Sequence, residues 1–335
     1  MKTTLGMLAM FGGLSGTAMA QSNVTMYGVA DVGLTAERGG AAGSVTKITS
    51  GIANGSRIGF KGTEDLGDGL SAQFVLENGM DMSTGAAAQG GLLFGRQAYV
   101  GLSSKYGGIR LGRQYTPVDD VVATTDPFYN GFAGRMQNVL AAGYVARVNN
   151  DIMFSTPVIG GVSANLAYGF GEVAGDTGAG RYLGASIGYA GGPLWTRLAW
   201  QSTNNPAHTG AARNALLGVI YDFGGFRLHG VLSASRTRTL GVTTLDARDG
   251  MLGVSVRMGS GTILASYVRR DDRLPAGKNA SQLGVGYTYD LSKRTSVYTA
   301  YGRIDNDNGA AYTSGNATEA GSGNSAFNLG LRHRF

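Results

Sequence analysis

No cysteine occurs anywhere in the chain, so disulfides do not hold its fold. Proline is scarce, with only 6 residues. Beyond the N-terminal segment no run reaches the ~18 uninterrupted apolar residues of a membrane-spanning helix. Glycine is abundant at 57 residues but has no three-residue period, which excludes a collagen-like chain. Apolar residues make up 43%, too many for simple disorder. The three histidines, His208, His229 and His333, lack metal-ligand spacing, and no cofactor is expected. Gly184-Ala185-Ser186-Ile187-Gly188 matches the G-x-S-x-G nucleophile pattern, yet it lies within a strand-like run where that motif needs a strand-to-helix elbow. Asp305-Asn306-Asp307-Asn308 resembles a calcium-loop fragment without the ligands that should follow. The basic residues are scattered over strand-like segments, which is not a nucleic-acid footprint.

What is present begins with a leader. Lys2, the apolar run Leu5 to Leu14 and the small residues Ala18-Met19-Ala20 predict a secretory signal peptide over residues 1–20, with the mature domain at 21–335. Its removal takes one lysine and no acid, so the net charge of +6 becomes +5.

Short alternating runs follow. In Val24 to Leu34, Val24, Met26, Val32 and Leu34 share one parity and Asp31 takes the other. Ile58 and Phe60 oppose Arg57 and Lys61; Leu70, Ala72, Phe74 and Leu76 oppose Ser71, Gln73 and Glu77. A run over 93–102 carries Arg96 with poor parity, because Ala98 and Val100 share its face. After residue 147, eleven further runs alternate between short turns such as Gly191-Gly192-Pro193 and longer polar loops such as Thr203 to Ala212. Short turns on one rim and long loops on the other predict an all-β, transmembrane antiparallel barrel of about 16 strands. At that size a barrel leaves an aqueous channel.

Charges fix which face is which. Arg57, Lys61, Glu77, Arg96, Arg257, Arg269 and Arg332 lie within the runs. A lipid-facing arginine at mid-membrane would cost about 2–4 kcal/mol, so these side chains are expected in a wet lumen. Tyr99, Tyr182, Tyr189, Tyr289 and Tyr312 are expected in interfacial girdles. Phe327, Leu329, Leu331, His333 and Phe335 share one parity of the last run.

The rhythm breaks once, between Gln114 and Arg147, and a loop of about thirty residues inside a compact domain is usually functional. It carries Asp119, Asp120, Asp126, Pro127-Phe128 and Arg135. This long third external loop is expected to fold into the lumen, its carboxylates facing wall arginines. Counting residues from the short turns puts Arg57, Arg96 and Arg113 near one height and Arg147 higher.

The stretches Val24-Thr25-Met26-Tyr27-Gly28-Val29-Ala30-Asp31, Gly55-Ser56-Arg57-Ile58-Gly59-Phe60-Lys61-Gly62-Thr63-Glu64-Asp65-Leu66-Gly67, Leu93-Phe94-Gly95-Arg96-Gln97-Ala98-Tyr99, Leu111-Gly112-Arg113-Gln114-Tyr115-Thr116-Pro117, Tyr301-Gly302-Arg303 and Leu331-Arg332-His333-Arg334-Phe335 together resemble the trimeric general porins of the Gram-negative outer membrane, neisserial and Burkholderia-type above all. The resemblance implies passive diffusion of small hydrophilic solutes and anions, a homotrimer, and contact with outer-membrane lipid and lipopolysaccharide. It implies a constriction with Arg57, Arg96, Arg113, Arg147 and Lys61 on the wall and Asp126, with Asp119 and Asp120, on the loop. With the net positive charge this predicts weak to moderate anion preference. Two other classes stay open at this stage. A barrel enzyme would need a Ser, His and acid cluster on its outer face, and an adhesin or structural anchor would have a plugged lumen and a dominant external domain.

Overall fold

The computed structural model describes residues 23–140, 142–314 and 323–335; the expected leader lies outside them. Strands before the long loop are β1 (Asn23–Gly40), β2 (Gly43–Ser50), β3 (Arg57–Gly67), β4 (Leu70–Gly79), β5 (Gln97–Ser104) and β6 (Gly107–Tyr115). After it come β7 (Arg147–Ser155), β8 (Val162–Gly169), β9 (Tyr182–Gly191), β10 (Leu194–Asn204), β11 (Gly210–Asp222) and β12 (Phe226–Thr239). The last are β13 (Val242–Met258), β14 (Gly261–Asp272), β15 (Ala280–Asp290), β16 (Thr295–Asn306) and β17 (Ser325–Arg334). Apart from β2 and β3, consecutive strands pair antiparallel, and β17 returns to β1, so the sheet is closed. β2 and β3 both pair with β1, at Val32 to Gly40 and Asn23 to Val29 respectively; they are one wall strand interrupted by residues 51–56. Seventeen segments therefore make sixteen staves, the expected number.

The face assignment follows the alternation. Val24, Met26, Leu34, Ile48, Phe60, Leu198, Leu232 and Leu252 are exposed on the outside, while Asp31, Glu77, Gln201, Asn214, Asp249, Gln282 and Asn328 are buried inside. The parity problem at Arg96 disappears because β5 begins one residue later; Ala98, Val100 and Leu102 then share the outward face, and Arg96 turns in from the preceding loop. Arg269 departs from expectation. It shares the outward parity of Ile263 and Tyr267, near the long-loop end of β14, and pairs with Asp307 at 3.6 Å. The girdle also differs. Tyr189 and Tyr289 are outward, with Tyr221, Phe223, Phe226 and Tyr287 along the short-turn rim. Tyr182 is buried inside, Tyr99 carries Arg110 on its ring, and Tyr312 carries Arg270 on its own. Ser186 of the G-x-S-x-G match sits in mid-strand opposite Ala199.

The long loop lies inside the barrel. It opens with α1 (Pro117–Thr125), which the strand rhythm did not announce. Val118, Val121 and Val122 of α1 pack with Ala199, Leu216, Val231, Met251 and Val268 of the β10–β14 wall. Farther along, Phe128 and Phe132 pack with Leu264, Tyr298 and Ala300. The wall is thinned by glycine along this track. A methyl group on Gly218 would stand 2.8 Å from Val121, and one on Gly253 would stand 2.8 Å from the Pro127 ring. Gly284 and Gly302 face each other across β15 and β16 beneath Ala133 and Gly134, and neither has room for a side chain.

Asp31 secures the loop's far end. It is fully buried, and its carboxylate accepts hydrogen bonds from the N–H groups of Ile52 (3.1 Å), Ala53 (3.1 Å) and Asn54 (2.9 Å) and from the Tyr298 hydroxyl. This fixes the interruption between β2 and β3. The carbonyl of Ile52 in turn accepts the Phe132 N–H at 2.6 Å.

Candidate functional site

With one side of the lumen filled by the loop, open space remains between the loop and the wall of β3 to β7. The cavity there measures about 600 Å³. From the wall come Arg57, Arg96, Tyr115 and Arg147; from the loop come Asp119, Asp120, Tyr129, Arg135, Gln137 and Tyr144.

The wall side is built around one phenol. Tyr115 ends β6 directly opposite Arg147, which begins β7. Arg96 Nη2 and Arg147 Nη2 each donate to the Tyr115 hydroxyl at 2.6 Å, and both guanidinium groups lie over its ring, 5.8 and 4.3 Å from the centroid. Arg96 also donates through Nε to Glu77 at 2.7 Å, and Glu77 accepts the Tyr27 hydroxyl at 2.9 Å. Two like charges are thus held side by side by an aromatic face, a shared acceptor and one carboxylate. Arg147 is not above Arg96, as residue counting suggested; the Tyr115–Arg147 register puts both on the same oxygen.

The loop side is set by α1. Thr116 caps it, its Oγ1 accepting the Asp119 N–H at 3.1 Å, and Pro117 occupies the first turn. The acids of that turn are stabilised by the helix dipole and presented to the cavity. Asp119 Oδ1 accepts the Tyr144 hydroxyl at 3.1 Å. Burial pushes the Asp119 carboxyl up to about 6, against the pull of Arg147, the Tyr144 hydrogen bond and Arg96. Asp120 reaches Arg197 on β10 at 3.4 Å, so its charge is partly spent on the opposite wall.

Three of the sequence-derived residues lie elsewhere. Asp126 is buried behind the loop, with Oδ1 accepting Phe128 N–H and Oδ2 accepting Met136 N–H, both at 2.9 Å. Burial pushes it up to about 7 against these donors. Adjacent Phe128 is a core anchor, and seating it draws Asp126 away from water. Arg113 donates to the Gly95 carbonyl at 2.8 Å and to Asn149, and it is not among the cavity-lining residues. Lys61 sits over the Tyr27 ring at 5.3 Å, nearer the short-turn rim. Sequence reasoning missed Tyr115 as the organising group, although the Tyr-Thr-Pro sequence with two acids after it is a legible helix start.

The Asp119 titration gives a direct expectation. Above its midpoint near 6 the carboxylate opposes the arginines; below it that negative charge is gone. Anion-to-cation permeability should therefore rise as the pH falls from 7.5 to 5, and an Asp119→Asn variant should show the acid value throughout. Reversal potentials in a planar bilayer under a salt gradient measure it, and a pH-independent ratio in the native protein would refute it.

The sequence profile of a family described as Gram-negative porin matches residues 4–309. The chain is 31% identical to an outer membrane porin protein of Bordetella pertussis and 32% identical to outer membrane porin protein 32 of Delftia acidovorans, covering 100% of both partners in each case. Among solved structures it is similar to an anion-selective porin from Comamonas acidovorans, with a TM-score of 0.84 at 30% identity over 94% of this chain and 100% of that one.

Proposed function

The chain belongs to the Gram-negative porin family and forms an outer-membrane diffusion pore, and from that premise we propose that its narrowest passage is the cavity between Arg57, Arg96 and Arg147 and the acids of the lumenal loop. The observation that carries this reading is the convergence of Arg96 and Arg147 on Tyr115, with Arg57 in the same cavity wall. Four guanidinium groups and two carboxyl groups line the passage, one of the carboxyl groups already paired with Arg197. The balance is positive, and a ring of this sign favours small anions. Acids on one side and bases on the other also create a transverse field that orients dipolar solutes. The similarity to an anion-selective porin supports the sign of the preference. Assembly as a homotrimer, export by cleavage of the leader, and contact of the outer wall with outer-membrane lipid and lipopolysaccharide complete the proposal.

The test is single-channel conductance under a salt gradient for the native protein and for Arg57→Ala/Arg96→Ala. Stepwise conductance with anion preference in the native protein, and a permeability ratio reduced several-fold toward unity in the double variant, are the expected results. A double variant with unchanged ratio and conductance would remove these arginines from the constriction. Folded protein that conducts nothing would overturn the pore.

A further inference from the structure

Three aromatic residues lie between positions 128 and 132 of the lumenal loop, and they part company. Phe128 and Phe132 are buried against the wall, whereas Tyr129 is 48% exposed. An exposed ring on the outer wall meets lipid. This one stands inside the wet lumen.

The backbone holds it there at a cost. Tyr129, Asn130 and Phe132 have φ of 53°, 57° and 59°, the left-handed region that favours glycine. Residues persist in that region where their surroundings over-determine them, and such strain gathers at ligand clamps. The surroundings here are of that kind. The Tyr129 N–H donates to the Asp126 carbonyl at 2.9 Å, and the Phe132 N–H to the Ile52 carbonyl at 2.6 Å. A methyl group on Gly131 would stand 2.5 Å from the Ile52 carbonyl oxygen and 2.6 Å from that of Ala53, so the turn is pressed against residues 51–56. Seating both phenylalanines through so tight a turn sends Tyr129 the other way.

The ring divides two basic hollows. On one side is the cavity of about 600 Å³ that holds Arg57, Arg96 and Arg147. On the other is a smaller hollow of about 40 Å³ at the short-turn mouth, lined by Asp222, Arg227, Ser255, Arg257 and Thr262. Tyr129 lines both. Asp222 engages Arg227 at 2.7 Å, so the second guanidinium of the smaller hollow, that of Arg257, gives it a positive balance. Tyr27 and Tyr115 in the same lumen carry cations on their ring faces. Among the described residues neither a cation nor another aromatic ring lies against Tyr129, which leaves its face open to a solute.

Building on the outer-membrane pore reading, we propose that Tyr129 is a stacking residue through which the pore discriminates in favour of planar aromatic carboxylates. The solute's ring would lie on the Tyr129 ring in an offset-stacked arrangement. Its carboxylate would be held first by the constriction arginines and then by Arg257, since guanidinium groups match the geometry of carboxylate oxygens. A saturated ring of equal charge and nearly equal size meets the same arginines but has no π-face to stack. Chloride passes without using the ring, so the general anion preference is separate from this discrimination.

The experiment compares benzoate with cyclohexanecarboxylate as blockers of chloride current through single channels of the native protein and of Tyr129→Phe, Tyr129→Leu and Tyr129→Gly. Glycine suits the left-handed backbone, so that variant removes the ring without disturbing the turn. In the native protein and in Tyr129→Phe, benzoate should reach half-block at a concentration about fivefold lower than cyclohexanecarboxylate, the size of one aromatic stacking contact. In Tyr129→Leu and Tyr129→Gly the two acids should block alike, with the chloride-to-potassium permeability ratio equal to the native value. Equal block by the two acids in the native protein, or discrimination kept by Tyr129→Gly, would overturn the proposal. Discrimination kept by Tyr129→Leu would assign the effect to bulk and overturn the stacking role. Saturation-transfer NMR of the detergent-folded proteins reads contact with the benzoate ring without any current. Transfer should be seen in the native protein and Tyr129→Phe and lost in Tyr129→Gly, and equal transfer in native and Tyr129→Gly would also overturn the proposal. Absence of conductance in every protein, with that contact intact, would be the failure of the pore reading alone.

Discussion

Asp31→Ala should lower the stability of the folded barrel by at least about 4 kcal/mol, because each buried donor left without its acceptor costs about 1–3 kcal/mol and the change strands three backbone N–H groups and the Tyr298 hydroxyl. Asp31 is not simply a lumenal counter-charge for arginines. It shapes residues 51–56, and those residues receive the tip of the lumenal loop through the bond from Phe132 to Ile52. Two readouts should therefore move together. The denaturant midpoint of the detergent-folded protein should drop, and single-channel records of the surviving fraction should show flicker absent from the native trace. Asp31→Asn, which keeps an acceptor oxygen, should lose less. A midpoint for the alanine variant equal to that of the native protein would show that the carboxylate does not anchor the loop.

Gly302→Val should narrow the pore. The valine would be driven into the Ala133 carbonyl, which its own strand cannot avoid because β16 is hydrogen-bonded on both sides. The loop must yield, and open space lies on its side facing Arg57, Arg96 and Arg147. Displacing it strains the bonds from Gln282 to the Gly134 and Arg135 carbonyls, at 2.9 and 3.0 Å. Overpacking of this kind costs about 1–3 kcal/mol, so the barrel should still fold. Conductance should fall by about half or more, and Gly284→Val should act in the same direction. Unchanged conductance in both variants would mean that the loop does not bear on the wall at this point.

The barrel was legible in the sequence because its signal is distributed. Each stave repeats the same alternation, so a lost stretch such as Gly43–Ser50 does not change the answer. That segment hides behind glycine and alanine at Gly39 to Gly43, and Ile48 is its exposed large apolar residue. The site was less legible because it depends on how a single loop is seated. Pro127-Phe128 marks a turn and a core anchor, but not which way the neighbouring acid faces; the buried Phe128 ring decides that for Asp126. Arg57 and Arg96 were findable as lone charges at similar height, whereas residue counting put Arg147 higher. Their grouping around Tyr115 depends on a cross-strand register that spacing alone does not fix. The glycines facing the loop are likewise hidden in a chain where glycine is common, and only the packing separates them from those in turns.

The seam where β1 meets β17 has a consequence for the order in which the molecule forms. Gly28 and Phe335 exchange both backbone hydrogen bonds, so the last stave is joined to the first by residues from far ends of the chain. Loop-closure entropy makes such a contact late and slow. The lumenal loop, however, touches both flanks of that seam, through Ile52 and through Asn328, whose side chain accepts the Ala133 N–H. It cannot be threaded into a finished cylinder without breaking its apolar contacts. The loop thus acts as a mandrel: the open sheet curls around it, and the final pairing locks a gate that is already in place.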